Sequence, residues 1–507
     1  MTRSLQVKIS FVRRLLSTAE GSCSGHSTID TLSDDVLLCI FDFHRREWIR
    51  RVGVWPWRDL LHICRRWRCI AFGCPHYLKL YPSCSSKTGV HAALDIWPAL
   101  PLSIQAFLDH EDAHKDDIIS ALKHRDRIAE ISLKEFERSQ LKECIALMHE
   151  PYPVLRSLHL TANEKKKLVI PDTDTFLGGS APLLQSIHLC GIRFPGLPKL
   201  LASTSDLVCL DLEGLPMTGE GHIPPDAMTT CLSELTKLRS LTISSCFLRW
   251  SRSPYPTGQR PPPSAHTILP ALTYLSLQGP QGYLEEIVAR IDTPLLNKCR
   301  FDFIDEPTFF DTRQVPQFVC RTKNFKLLDG VEVHFWQTHL FALFRSRTGP
   351  AEFSLLFQRS GLLAQVAIME RICAQWPRLV SHAELLELDE SGHYWEEKKW
   401  WEGVTQWLGL LRPFTAVHTL RICEMIKVSP SHLVHILGEL EGERATEVLP
   451  ALRTVELSAS PASPPDSSET LRLLGPFLAA REEWEHPVVV VNVGSKSKYP
   501  VSQSCWA

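Results

Sequence analysis

The chain has 507 residues, of which 44% are hydrophobic and 22% charged, and its formal net charge is −2. This length is too great for one ordinary core and predicts about three domains or one extended repeat array. The composition excludes a fibrous or wholly disordered chain, and the nearly balanced charge gives no general attraction to nucleic acid or anionic membranes.

The 16 cysteines occur singly, without a C-x-x-C pair. Scattered thiols in so long a chain indicate a reducing compartment, where most cysteines are small buried hydrophobic residues. No apolar run reaches the roughly 18 to 20 residues that span a bilayer, and residues 488–491 have the length of one buried strand. We therefore expect a cytoplasmic or nuclear protein with no membrane partner.

Residues 1–19 are basic, contain several Ser and Thr, and precede the first acidic residue, Glu20. This composition predicts a disordered extension over residues 1–27, with a mitochondrial transit peptide as the alternative. A secretory signal is disfavoured because Arg13 and Arg14 interrupt the apolar stretch.

The first structured segment is predicted to open with a helix at residues 33–41. Ser33 is a capping residue, and Asp34 and Asp35 suit the positive end of a helix dipole. A second segment, 57–71, also carries apolar residues three and four positions apart. Two or three short helices cannot bury a core of their own, so we expect their apolar faces to contact a partner protein or the rest of the chain.

From residue 128 onward a phrase of the form apolar-x-x-apolar-x-apolar recurs ten times. The central apolar residues of its copies are Ile131, Leu158, Ile187, Leu210, Leu241, Leu275, Cys299, Val331, Leu386 and Val455. The first five intervals are 27, 29, 23, 31 and 34 residues, close to the 20 to 29 residues of leucine-rich repeats. The copy beginning at Leu238 fits the longer repeat consensus as far as Cys246 and Leu248. An irregular repeat solenoid is therefore predicted, with a generic α/β domain as the alternative.

Two Pro- and Ser-rich segments, 251–264 and 458–468, interrupt this pattern. Such composition predicts exposed loops, and Ser-Pro phosphorylation sites are the alternative interpretation.

Two motifs raise the question of zinc. Residues 110–114 read HEDAH, an H-E-x-x-H sequence, but Asp109, Lys115, Asp116 and Asp117 flank it with charge rather than the apolar face of a buried zinc helix. Cysteines 64, 69, 74 and 84, which have His62 and His76 nearby, lie five or more residues from one another, whereas structural zinc usually has ligands paired two to four residues apart. We expect core cysteines there, no catalytic residues, no metal site and no cofactor.

A basic block follows the first helical pattern, made of arginines 45, 46, 50, 51, 58, 65, 66 and 68 with tryptophans 48, 55, 57 and 67 among them. Arg and Trp are favoured in protein interfaces, so an acidic protein partner is the preferred interpretation and nucleic acid the alternative.

The segment 31–41, TLSDDVLLCIF, resembles the opening of F-box-like domains of basidiomycete proteins, "LP-D/E-E-hh-x-x-I-F". The segment 60–71, LLHICRRWRCIA, resembles their closing phrase, "hx-V-C-R-x-W-R-x-I-A". Ser33 departs from the family, which usually has a proline there to set the first helical turn. Residues 94–98, 124–128 and 284–296 resemble the leucine-rich portion of the same family, so the resemblance covers about 28–492.

This resemblance implies a substrate-recognition adaptor of an SCF-type cullin–RING ubiquitin ligase, with no enzymatic activity of its own. The F-box would dock on a Skp-family linker, and through it on a cullin, while the repeats hold a target protein. The implied docking residues are Leu32, Val36, Leu37, Ile40, Phe41, Leu60, Cys64, Trp67 and Ile70. The alternative is a non-catalytic binding scaffold with a vestigial F-box.

The predicted organisation is an α/β fold, an irregular leucine-rich-repeat solenoid or horseshoe preceded by a small all-α F-box-like helical module. Its predicted segments are a disordered extension (1–27), the F-box-like domain (28–84), a helical connector (85–127), the repeat domain (128–492) and a tail (493–507).

Overall fold

A computed structural model describes most of the chain between residues 31 and 494. The described ranges are 31–52, 58–74, 83–84, 100–107, 115–136, 138–162, 168–170, 176–217, 219, 221–245, 266–304, 313–392, 403–424, 431–459 and 467–494. The chain divides into two compact units. The first is Met1–Pro82 with Leu94–Pro101, and the second is Ser83–Ala93 with Leu102–Ala507.

The first unit contains three described helices, α1 (Asp34–Val52), α2 (Arg58–Leu61) and α3 (Arg65–Gly73). The Val36 backbone N–H donates to Ser33 Oγ at 3.4 Å, so Ser33 serves as a cap. We call this unit the helical module. Its buried core consists of Leu37, Phe41, Leu60, Leu61, Trp67, Ile70, Ala71 and Leu100. The buried residues of these helices thus form one cluster together with Leu100, which follows them in the chain.

The second unit is built around one large sheet. Its strands are β1 (Ser83–Cys84), β2 (Leu102–Phe107), β3 (Ile128–Phe136), β4 (Ser157–Ala162), β6 (Ser186–Cys190), β8 (Cys209–Leu215), β9 (Ser240–Ser245), β11 (Tyr274–Gly279), β13 (Lys298–Phe303), β14 (Gly330–Trp336), β15 (His339–Arg345), β16 (Glu352–Gln358), β17 (Leu385–Gly392), β18 (Thr419–Glu424), β19 (Thr454–Ala459) and β20 (Val489–Gly494). Two separate pairs are formed by β5 (Leu168–Val169) with β7 (Ile192–Arg193) and by β10 (Thr267–Ile268) with β12 (Ile291–Asp292).

Helices connect most of these strands. They are α4 (Lys115–Leu122), α5 (Arg138–Ala146), α6 (Leu197–Ala202), α7 (Pro225–Ser233), α8 (Gln281–Val288), α9 (Gln314–Arg321), α10 (Leu362–Gln375), α11 (Pro377–Val380), α12 (Val404–Leu411), α13 (His432–Gly438), α14 (Arg444–Glu447) and α15 (Ser467–Glu483). Two 3₁₀ helices, Phe176–Gly179 and Lys323–Leu327, complete the described connections. Within the described ranges no helix combines the length and the apolar character that crossing a bilayer requires.

The fold is mixed α/β with a large, mostly parallel sheet, which confirms the predicted class. Neighbouring strands follow chain order except at one place, where the order runs β13-β16-β15-β14-β17. There β14, β15 and β16 form an antiparallel meander, so β16 rather than β14 pairs with β13. The repeat phrase predicted β14 as a strand but could not reveal this insertion, since strand pairing is not encoded in the phrase.

All ten predicted phrases coincide with strands of the sheet, and their apolar residues point to one buried face. In β4, for example, Leu158 and Leu160 are buried while His159 between them is half-buried. This alternation follows from the two-residue side-chain period of a strand. The leucines of the phrase thus build the core of the second unit.

Three parts of the predicted organisation need correction. The segment predicted as a helical connector, 85–127, supplies strand β2 as well as helix α4, because Leu102 and Ile104 alternate with polar residues as in a strand. The segment 488–491 does form a strand, but Val489 and Val491 are exposed because β20 is the last strand of the sheet. Strand β18 repeats the phrase at Val417, Leu420 and Ile422, a copy that the sequence analysis missed.

Several predicted features lie outside the described residues: the extension 1–27, the loop 251–264, most of 458–468, and the tail beyond Gly494. The HEDAH sequence at 110–114 lies there as well, as do Cys246 and Leu248 of the longer repeat consensus.

Candidate binding face of the sheet

One line of side chains crosses the sheet on the face opposite the buried leucines. Each member lies between the two buried apolar residues of its strand, and strand register places it beside the members on the neighbouring strands. We call this line the central row. It comprises Ser132, His159, His188, Asp211, Thr242, Ser276, Arg300, Glu332, Glu387, Arg421 and Glu456, with Ser354 and Leu343 of the meander between Arg300 and Glu332.

The central row could have been found from the sequence, because it is the "x" between the last two apolar residues of each phrase. Sequence reasoning used those apolar residues and passed over the residue they enclose. Most members of the row are partly exposed, whereas Glu332 is buried. A face of half-buried polar side chains on adjacent strands can supply hydrogen bonds and charges to a partner laid across the sheet.

The N-terminal part of the row contains two stacked imidazoles and a carboxylate. The rings of His159 and His188 lie 4.0 Å apart between centroids, and His188 Nδ1 lies 2.8 Å from Asp211 Oδ2. Burial, with smaller contributions from His188 and Lys134, lowers the pKa of His159 to about 4. His159 is therefore a neutral imidazole near pH 7, and its Nε2 lies 3.1 Å from Thr161 Oγ1.

Glu213 extends this part of the row toward the end of strand β8. One ligand atom from each of His188, Asp211 and Glu213 lies within 4.8 Å of the others, the one such group of metal-ligating side chains in the described part of the chain. We call these three residues with His159 the histidine–carboxylate cluster.

The C-terminal part of the row is an ion-pair network centred on Arg421. Its Nη1 donates to Glu387 Oε2 at 2.8 Å, and its Nε donates to Glu456 Oε2 at 2.8 Å. Burial alone would lower the pKa of Arg421, but the hydrogen bonds with Glu456 and Glu387 raise it overall. The guanidinium thus holds two neighbouring carboxylates in fixed positions on three successive strands.

Beside this network lies a second histidine–aspartate pair, in which His334 Nδ1 is 2.9 Å from Asp389 Oδ2. Burial would lower the pKa of His334, but Asp389 and the nearby Glu332 and Glu387 raise it overall. Trp336 stacks on Phe341 with ring centroids 5.8 Å apart and extends this region with an aromatic surface.

Several thiols of the second unit have a raised pKa. Burial raises the pKa of Cys299 and of Cys373 well above the ordinary value. Burial, together with Glu387, does the same for Cys423 on the network side of the face. These thiols stay protonated near neutral pH, whereas a reactive cysteine needs a lowered pKa.

The helical module holds the predicted docking residues, and the structure separates them into two groups. Leu37, Phe41, Leu60, Trp67 and Ile70 are buried in the module core, where the Phe41 and Trp67 rings lie 4.7 Å apart. Leu32, Ile40 and Cys64 are half-buried, and Val36 is exposed. Sequence spacing located the apolar stripes correctly but could not tell which stripe faces the core.

Two exposed apolar residues of the module were missed by the sequence analysis. Phe43 is 54% exposed and Ile63 is 55% exposed, compared with 44% for Val36. Val36, Ile40 and Phe43 are spaced by four and three residues and so share one side of helix α1. We call them the exposed stripe.

Two arginines and one cysteine of the module make hydrogen bonds inside it. Arg66 donates to Asp34 Oδ1 at 2.6 Å, and Arg45 donates to Asp42 Oδ1 at 2.6 Å. Cys64 caps helix α3 by accepting from the Trp67 backbone N–H at 3.4 Å. Cys69 is exposed, which corrects the expectation that these cysteines belong to the core, while Cys64 and Cys74 are half-buried.

No protein-family model matches the chain, and no curated protein matches it. The function must therefore be argued from the residues themselves.

Proposed function

We propose that this chain is a non-catalytic substrate-recognition adaptor of an SCF-type cullin–RING ubiquitin ligase. In this proposal the helical module is an F-box-like domain that docks on a Skp-family linker, and through it on a cullin. The sheet and its helices are a degenerate leucine-rich-repeat array whose central row holds a target protein. Ubiquitin transfer gains because the target is held close to the ligase.

The repeat interpretation is supported by the coincidence between phrase and strand. Each of the ten phrases lies on a strand of the sheet, and the phrase leucines are buried. Apart from the meander, neighbouring strands are parallel and follow chain order. Stacked repeats that each supply one strand and one connection produce this arrangement.

Docking is supported above all by the exposed stripe. Helix α1 already buries Leu37 and Phe41 in its own module, yet Val36 and Phe43 on a second apolar side of the helix are about half exposed. Exposed apolar residues at helical spacing are typical of a surface that a protein partner covers. The proposed docking surface is therefore the exposed stripe with Ile63, rather than the whole set implied by the resemblance.

The test is co-purification of the full chain with a Skp-family linker. We expect the wild-type chain to retain the linker in equal amount and the Phe43→Asp variant to weaken binding about 30-fold, the effect of losing a contact of about 2 kcal/mol at an interface centre. Val36→Asp should act in the same direction, because it places a charge on the same side of helix α1.

The matched control is Cys69→Asp, which places the same charge at an exposed position of helix α3. It should leave linker binding unchanged. Trp67→Ala cannot test docking, because Trp67 lies in the module core and its truncation unfolds the module itself. Full binding by both stripe variants contradicts the docking surface, and absence of linker from the wild-type chain favours a binding scaffold with a vestigial F-box.

A further inference from the structure

The histidine–carboxylate cluster has the composition of a divalent-metal site. His188, Asp211 and Glu213 offer one imidazole nitrogen and two carboxylate oxygens from strands β6 and β8. Two carboxylates with a neutral imidazole balance the charge of a divalent cation, and imidazole among the ligands favours zinc over magnesium or calcium.

The distances suit such an ion. Zinc bonds of about 2.0 to 2.2 Å in a tetrahedron place ligand atoms about 3.3 to 3.5 Å apart. The ligand atoms of the three residues already lie within 4.8 Å of one another, and His188 Nδ1 lies 2.8 Å from Asp211 Oδ2. To reach that size, His188 Nδ1 and Asp211 Oδ2 would separate by about 0.5 Å and exchange their hydrogen bond for bonds to the ion, and the remaining ligand atoms would close by up to about 1.5 Å.

Asp211 contributes a second observation. Its Oδ1 is buried and has no hydrogen-bond partner among the described residues, although its Oδ2 is paired with His188. A buried carboxylate oxygen without a partner is costly, and a bound cation or an ordered water supplies what it lacks.

We propose that His188, Asp211 and Glu213 bind one zinc ion on the half-buried face of the sheet. Three protein ligands leave the fourth tetrahedral position for water or for a donor atom of a bound protein. His159 stacks on His188, with ring centroids 4.0 Å apart, and restricts the plane of its ring.

The chain contains its own control for this site. His334 and Asp389 form the same kind of pair at 2.9 Å on the same face, but no third ligand completes a group there among the described residues. We expect a histidine–aspartate pair alone not to bind zinc at low zinc concentration. The His188–Asp211 pair, which Glu213 completes, should bind it.

The experiment uses the full chain, stripped with a chelator and dialysed against zinc, with metal counted per chain by mass spectrometry. We expect Asp211→Asn and Glu213→Gln each to lose one zinc equivalent that the wild type holds, with affinity lowered at least about 100-fold, because even outer partners of metal ligands change affinity by about 10- to 100-fold. Asp389→Asn should bind as the wild type does. Zinc bound by scattered thiols contributes equally to the metal content of all four proteins, because they carry the same cysteines.

Thermal unfolding of the same proteins gives a second readout. Zinc should raise the midpoint of the wild type and of Asp389→Asn, and not that of Asp211→Asn or Glu213→Gln. Asparagine and glutamine keep the side-chain shapes, and midpoints without metal report whether the variants fold. Equal zinc content in all four proteins overturns the site, as does a loss in Asp389→Asn as large as in Asp211→Asn.

Discussion

The pairs His188–Asp211 and His334–Asp389 contain the same two residue types at nearly the same distance, 2.8 and 2.9 Å. Their surroundings differ. The first lies beside the neutral His159 and the carboxylate of Glu213, while the second lies near Glu332 and near Glu387, which Arg421 holds.

This difference shows that neighbours, rather than the pair itself, decide what a histidine on this face can do. In the N-terminal part of the row, burial keeps His159, the neighbour of the pair, neutral. In the C-terminal part, surrounding carboxylates favour the protonated ring and tie it into an ionic network. One sheet face thus presents two chemically distinct regions to a partner.

The largest effect is expected from breaking the C-terminal network at its centre. Arg421→Met leaves Glu387 and Glu456 without the guanidinium that both accept from. These side chains are 15% to 27% exposed, so we expect the free energy of unfolding to fall by about 2 to 3 kcal/mol, at the low end for a broken buried pair.

Chemical denaturation measures this loss. Arg347→Met is the control, because the Arg347–Glu384 pair is about half exposed and should contribute less than about 1 kcal/mol. Equal losses in the two variants would show that the network contributes no more than a surface ion pair.

A smaller effect should distinguish the N-terminal region at acid pH. The pKa of His159 in the folded chain is about 4, below its ordinary value of 6.5, so the unfolded chain binds the proton more readily. Stability should therefore fall as pH drops from about 6.5 to about 4, by about 1 to 2 kcal/mol because the ring is only half-buried. His159→Gln should remove this loss. Denaturation at a series of pH values tests it, and an unchanged profile in the variant contradicts the assignment.

The smallest effect is expected from His334, with the opposite sign. Its pKa is raised in the folded chain, so its protonated form stabilises the fold below about 6.5, and this stability is lost as pH rises through the folded-state pKa. The effect is small because burial opposes Asp389. His334→Gln should flatten the alkaline side of the pH profile and leave the acid side intact. A change confined to the acid side would mean that the two regions are not electrostatically distinct.

The helical module shows which structural features a local sequence pattern predicts and which it leaves open. Helical spacing and the capping residues Ser33 and Asp34 predicted helix α1, and the structure has it beginning at Asp34. The same spacing could not separate Phe41, which is buried, from Phe43, which is exposed, because a helix pattern gives faces but not what covers them. The predicted docking set consequently mixed core and surface.

By itself the sequence determined the ten strands of the second unit that carry the predicted phrase. A leucine phrase with a two-residue period places buried and half-buried side chains wherever it occurs, because alternation is a local property of extended backbone. On those ten strands it also determined the member of the central row, as the residue that two apolar neighbours enclose.

Only the tertiary structure decided which polar side chains of this face meet. His188 and Asp211 are 23 residues apart in the chain, and His334 and Asp389 are 55 apart. The meander of β14 to β16 moves β14 away from β13 and against β17, which brings His334 to Asp389. Strand order and register depend on how connections of unequal length pack, a non-local balance that no short phrase contains.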